Sequence, residues 1–118
     1  MQYMMLAYAD QTYFQKMAPE EQKQAVASYT AFVEALKQSG AYQASGRLQP
    51  VQTATTVRTT NGKTQVLNGP YTETKEQLGG YFLIDVPDLD AAISWSARCP
   101  ASHHGIVEIR PIWLAQCS

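Results

Sequence analysis

Glu108 and Arg110 stand two apart in Ile106 to Trp113, a run whose β-branched and aromatic residues suit a strand. Residues two apart on a strand share a face, with Cα atoms roughly 6.5 Å apart. The pair can therefore present a carboxylate for acid–base work and a planar guanidinium fork for an anion, or close a structural ion pair across a sheet or dimer interface. Glu73, Lys75 and Glu76 follow in a polar stretch between two turn elements, Gly69-Pro70 and Gly79-Gly80. A loop pinned at both ends can aim a carboxylate and an amine into a cleft, although such side chains are more commonly plain solvated charges. Glu73 and Glu108 are thus the candidate acid–base groups, and Lys75 and Arg110 the candidate anion holders.

Other chemistries find little support. His103 and His104 are adjacent, and in extended backbone they point to opposite faces, so they do not readily share one metal ion. Cys99 and Cys117 are the only cysteines, and no CxxC, HxxxH or HExxH spacing occurs. Two reduced thiols are expected, with no disulfide framework. No GxSxG, P-loop or GxGxxG pattern is present, and neither a metal nor a cofactor is expected.

The elements that must carry these residues follow from hydrophobic patterning. Gln2 to Tyr8 is apolar without alternation, as in a strand buried on both faces. A polar connection, Asp10 to Ala18, leads to a helix opened by Pro19, a favoured first-turn residue, with Glu20 and Glu21 at its positive end. Ala18 occupies the cap position and offers no side-chain acceptor, a local cost of about 1 kcal/mol. Val26, Tyr29, Phe32, Val33 and Leu36 recur at helical spacing and are expected to face the core, with Gly40 closing the helix. Ala41 to Leu48 contains a strand. Thr55 to Thr60 and Lys63 to Leu67 flank Asn61-Gly62, a type I′ hairpin signal. Asn68-Gly69-Pro70 makes a second turn, and Tyr71 to Gly79 is an irregular loop. Gly80 to Val86 is a strand; Asp88 caps a helix whose buried stripe is Leu89, Ala92, Ile93 and Ala97; Pro100 ends it; Ile106 to Trp113 is the last strand. Two strand–helix–strand units with an inserted β-hairpin predict an α+β, ferredoxin-like split βαβ sandwich spanning 1–118 as one domain.

Both helices then cover one face of the sheet. Alternation puts Phe82, Ile84 and Val86 on the covered side with Val107 and Ile109. The other side carries Tyr81, Leu83, Asp85, Glu108 and Arg110, half apolar and half charged. Such a face suits a homodimer that encloses a polar cleft, with Lys75, Arg110, Asp85 and Tyr81 lining it.

Bulk properties narrow the partners. The 118 residues suit one domain, and 45% are apolar, normal for one core. Only 16% are charged, below the roughly 25% of typical soluble domains, which leaves less polar surface to meet water and fits a face covered by another subunit. A net charge of −1 argues against nucleic acid, which calls for a basic stripe. No apolar stretch approaches the roughly 20 residues of a membrane span, and the N-terminal MQYMMLAYAD lacks a basic n-region and a cleavage site. A cytoplasmic location is the default expectation.

Asn68-Gly69-Pro70-Tyr71, Thr72-Glu73-Thr74-Lys75-Glu76 and Leu78-Gly79-Gly80-Tyr81 together resemble the signature of the YCII-related family, and most closely its branch named for an Asp-Gly-Pro-Phe motif. The resemblance continues through Leu89-Asp90-Ala91-Ala92, Ala97-Arg98-Cys99-Pro100 and Val107-Glu108-Ile109-Arg110-Pro111, with Tyr3 to Tyr8 and Pro19-Glu20-Glu21. It implies a dimeric α+β barrel with a cleft near the dimer interface, lined by the motif loop and the last strand. Relatives are often associated with alternative sigma factors, which implies a regulatory setting. Two motif positions differ: Asn68 replaces the aspartate, keeping turn geometry without a charge, and Tyr71 replaces the phenylalanine. Some relatives carry a His–Asp pair, but Glu20-Glu21-Gln22-Lys23 and Cys99-Pro100 stand at the corresponding places. Two functions follow: a dimeric small-molecule-binding or regulatory module for a small polar or anionic ligand, or an enzyme on such a metabolite with Glu73 or Glu108 as acid–base.

Overall fold

A computed structural model describes residues 1–113; Cys117 lies outside the described residues. Among the described residues, six strands and three α-helices follow in the order β1 (Gln2–Ala9), α1 (Gln11–Gln15), α2 (Pro19–Ser39), β2 (Tyr42–Arg47), β3 (Thr55–Thr60), β4 (Lys63–Asn68), β5 (Gln77–Asp85), α3 (Leu89–Arg98) and β6 (Ile106–Pro111). The main sheet has the order β2-β5-β1-β6, with every neighbouring pair antiparallel. Each long connection therefore skips a strand: β1 to β2 through α2 passes over β5, and β5 to β6 through α3 passes over β1. β3 and β4 form a separate two-stranded sheet.

The core lies between the sheet and the helices. Tyr3, Met5 and Ala7 of β1 and Phe82 and Ile84 of β5 are buried against Phe32 and Leu36 of α2 and Ala92 of α3. Phe32 meets Phe82 edge-on with ring centroids 5.2 Å apart. Burial in β1 alternates strictly from Gln2 to Ala7, so its second face, though apolar, is not sealed within the chain. Val107 and Ile109 pack against the core, which leaves Glu108 and Arg110 on the opposite side, as alternation predicts.

Local signals act as expected at several ends. Asp88 accepts a hydrogen bond from Ala91 N at 2.9 Å, and Gly40 terminates α2 with φ 82°. Asn61 and Gly62, at φ 53° and 76°, make the hairpin turn. Without a side-chain acceptor at Ala18, Glu21 reaches back to accept from Ala18 N at 3.2 Å, recovering part of the missing cap.

Four expectations are corrected. The polar connection after β1 contains a helix, α1, because Asp10 accepts from both Thr12 N and Thr12 Oγ1 and so nucleates a turn. Only Phe32 and Leu36 of the α2 stripe are buried, since the first half of α2 stands away from the sheet and leaves Val26 exposed. In α3 the buried residues are Ala92 and Ser96, whereas Leu89, Ile93 and Ala97 are exposed; small side chains there let the helix approach the sheet closely. β5 also starts at Gln77, before the pair of glycines.

Candidate functional site

On the uncovered sheet face, β1 residues meet partners from both neighbours. Leu6 lies between Glu108 of β6 and Tyr81 of β5, and Met4 between Arg110 and Leu83. Tyr8, one row further, pairs with Ile106 and donates its hydroxyl hydrogen to Glu108 Oε1 at 3.3 Å. The segment before β5 arrives beside this row, so Tyr8, Thr74, Lys75, Glu76, Ile106 and Glu108 line one open depression of about 680 Å³. Partial burial raises the Tyr8 phenol above its ordinary pKa, the Glu108 charge and hydrogen bond raise it further, and Arg110 opposes them. Tyr8 is therefore a hydrogen-bond donor at neutral pH and donates to Glu108, with Lys75 lining the same depression: an arrangement that can hold a small polar molecule.

Of the residues singled out by sequence, Glu108 and Lys75 come together here, and Arg110 occupies the next row. Tyr81 lies so close over Gly46 that a Cβ at Gly46 would stand 2.7 Å from its ring, so Tyr81 packs across the sheet. Asp85 sits at the far end, where its carboxylate pairs with the Met1 ammonium at 2.9 Å. Glu73 is exposed and does not line the depression. In the motif loop, Gly69 takes φ 110°, its N–H bonds Ala54 O at 2.7 Å and its carbonyl accepts from Thr56 Oγ1. Asn68 ends β4, Pro70 follows, and Tyr71 is exposed with Arg58 5.9 Å over its ring. The motif thus fastens the hairpin base and lies outside the depression. Tyr8 was not singled out by sequence: it reads as one more apolar strand residue, and only the β1–β6 register shows its partner.

A second concavity lies on the helix side. Where the first half of α2 leaves the sheet, α1 spans the gap, enclosing a groove of about 690 Å³. Phe14 of α1, Tyr29 and Val33 of α2, and Ala7, Gly80 and Phe82 of the sheet line it, with Arg47 and His104 at its edges. Val26, expected as core, stands in its wall, and Tyr29 and Val33, partly buried against the core, line it as well. His104 stacks on Tyr13 with centroids 4.8 Å apart. Cys99 is buried, and burial raises its thiol pKa. Among the described residues no three His, Cys, Asp or Glu side chains converge on a metal position, and no helix is long and apolar enough to cross a membrane.

An antiparallel sheet with helices on one face and a polar-edged open face defines a mixed α+β domain with small-molecule-sized concavities. The chain belongs to the YCII-related family, whose domain model matches residues 1–116. An uncharacterized protein of Rhizobium meliloti (strain 1021) is 33% identical over 116 residues, covering 97% of this chain and 94% of that protein. Among solved structures, the 5-chloro-2-hydroxyhydroquinone dehydrochlorinase TftG of Burkholderia phenoliruptrix AC1100, in complex with 2,5-dihydroxybenzoquinone, superposes with a TM-score of 0.58 over 99% of this chain and 98% of that one. At 14% identity that likeness is one of fold.

Proposed function

We propose that the protein is a dimeric small-molecule-binding or regulatory module of the Asp-Gly-Pro-Phe branch, working in the cytoplasm. Its ferredoxin-like, split βαβ protomers pair through their open sheet faces into an α+β barrel. The ligand is a small polar or anionic molecule held in the depression on that face. The observation that carries this is the Tyr8–Glu108 hydrogen bond beside Lys75 on a sheet face that no helix covers. Two further features support pairing. Met4, Leu6 and Leu83 make the middle of that face apolar and only half-buried. The radius of gyration is 16.3 Å, against about 13.5 Å for a compact domain of this length, and the hairpin of β3 and β4 stands apart with Val57, Val66 and Leu67 exposed. An isolated two-stranded hairpin is marginal in water unless something packs on it.

An enzymatic reading is favoured by one observation: Glu108 already accepts the hydroxyl hydrogen of Tyr8, as an acid–base group in a cleft would. The dehydrochlorinase named above shows that a chain of this fold can carry chemistry on a small ring. A thermal-shift screen with small carboxylates, phosphates and sugar acids tests binding, since a ligand of the native state raises Tm. Hits are expected to weaken in Lys75→Ala and Arg110→Ala. If both variants leave every hit unchanged, the depression is not the site. Turnover of a hit that disappears in Glu108→Gln while binding persists would establish the enzyme.

A further inference from the structure

The geometry points to a second binding site, independent of the open face: the groove between α1, α2 and the sheet takes a small planar aromatic carboxylate. Its floor is built from absent side chains. Ala7, Gly80 and Arg47 form one row across β1, β5 and β2, and the first two positions project almost nothing towards α2. A Cβ at Gly80 would come 3.0 Å from Gly46 O, a tight contact that favours glycine in the floor. Next to it, β5 carries an extra residue, Gly79, opposite the step from Ala7 to Tyr8, a bulge of the kind that re-aims strands beside sites.

The walls are aromatic and the head of the groove is cationic. The Arg47 guanidinium lies 4.7 Å over the Phe14 ring, and among the described residues it enters no ion pair. Stacked this way, its N–H edge remains open to a carboxylate, the planar fork matching two oxygens. Tyr29 supplies a phenol inside the groove. Burial and the neighbouring Cys99 push its pKa up to about 12 against the pull of Arg47, so it is a hydrogen-bond donor at neutral pH. Tyr29 runs parallel to Phe82, with an interplanar angle of 4°, and a flat ring placed over Ala7 and Gly80 continues that aromatic surface.

Other charges at the groove have partners of their own or face solvent. Asp10 is held by Thr12, Lys37 lies over the Tyr42 ring at 5.1 Å, and Glu34 is an exposed residue of α2. The wall is also fastened before any ligand arrives. Gln11 N donates to Gln77 Oε1 at 3.1 Å, while the Gln11 side chain donates to Gln52 Oε1 and accepts from Val51 N. Gln22 donates to Phe14 O and ties α1 to α2. A volume of about 690 Å³ lies within the roughly 300–1,000 Å³ of small-molecule sites.

The test is calorimetric titration of the full chain with para-hydroxybenzoate and benzoate, with acetate as the non-aromatic anion. Both aromatic acids are expected to bind and acetate not to. Arg47→Gln is expected to weaken binding by about tenfold or more, as loss of a charge-assisted pair should; Tyr29→Phe by a few-fold; and Ala7→Leu, which fills the floor, to abolish it. Thermal unfolding checks that each variant is folded, and Arg47 is exposed, so its replacement leaves the core intact. Lys75→Ala, on the other face, is expected to bind both acids as the wild type does. Absence of binding tighter than about 1 mM, or folded Arg47→Gln and Tyr29→Phe proteins with wild-type affinity, overturns the site. Loss of binding in Lys75→Ala instead also overturns it and moves the acids to the open face.

Discussion

If the hairpin of β3 and β4 is covered by a second copy, replacing Val57 and Val66 by threonine should weaken the dimer and spare the fold. The two valines are cross-strand partners on one hairpin face, and they are 60% and 63% exposed in the single chain. Threonine keeps the β-branch and the strand preference, and exchanges one methyl for a hydroxyl. A fully buried methyl or methylene is worth about 0.8 kcal/mol; scaled by the exposed fraction, covering each valine methyl contributes about 0.5 kcal/mol. In a two-fold dimer each substitution acts twice, so two positions remove about 2 kcal/mol. That corresponds to roughly a 30-fold rise in the dimer dissociation constant, and burial of hydroxyls without partners adds to it. Within one chain both sites are mostly in water, so monomer stability should change by less than about 0.5 kcal/mol. Sedimentation equilibrium over a concentration series reads the first quantity and chemical denaturation of the dissociated protein the second. A double variant that dimerises like the wild type, or a wild type that stays monomeric at every concentration, refutes the pairing.

Two further outcomes follow from local geometry. A Cβ on Gly105 would overlap the carbonyl oxygen of Tyr8, whereas one on Gly46 would meet only the Tyr81 side chain; Gly105→Ala should therefore cost about 3 kcal/mol, the upper part of the overpacking range, and Gly46→Ala clearly less, because a ring can rotate away, both read from urea midpoints. Asp10 has its pKa lowered by its hydrogen bonds to Thr12 and by the nearby lysines, so the unfolded chain binds its proton more readily than the native one. Its contribution is present above the ordinary aspartate pKa of 3.8 and is lost as the pH falls through the lower native value; Asp10→Asn should remove that part of the acid dependence, and a stability profile identical to wild type below pH 4 would show that the cap carries none of it.

The legible part of this protein is the part written in side chains that are present. Phe82, Ile84, Val86, Val107 and Ile109 announce the covered face by alternation alone, and Asn61-Gly62, Asp88 and Gly40 mark their turns because each offers the backbone something few other residues do. Glu108 and Arg110 were readable on the open face for the same reason. Tyr8 was hidden because its role depends on register: it becomes a polar group only when β6 sets Glu108 within reach of its hydroxyl. Val26 misled, and Tyr29 and Val33 are only partly buried against the core, because helical periodicity reports that a stripe is apolar, not whether the sheet opposite is full. Here it is not full, since Ala7 and Gly80 face the stripe, and two small residues separated by more than seventy positions leave no pattern until strand pairing places them side by side. The same gap lets Arg47, the next residue in that row, lie over Phe14, which is why a cation that looked like an ordinary strand-end charge stands at the head of the enclosed groove.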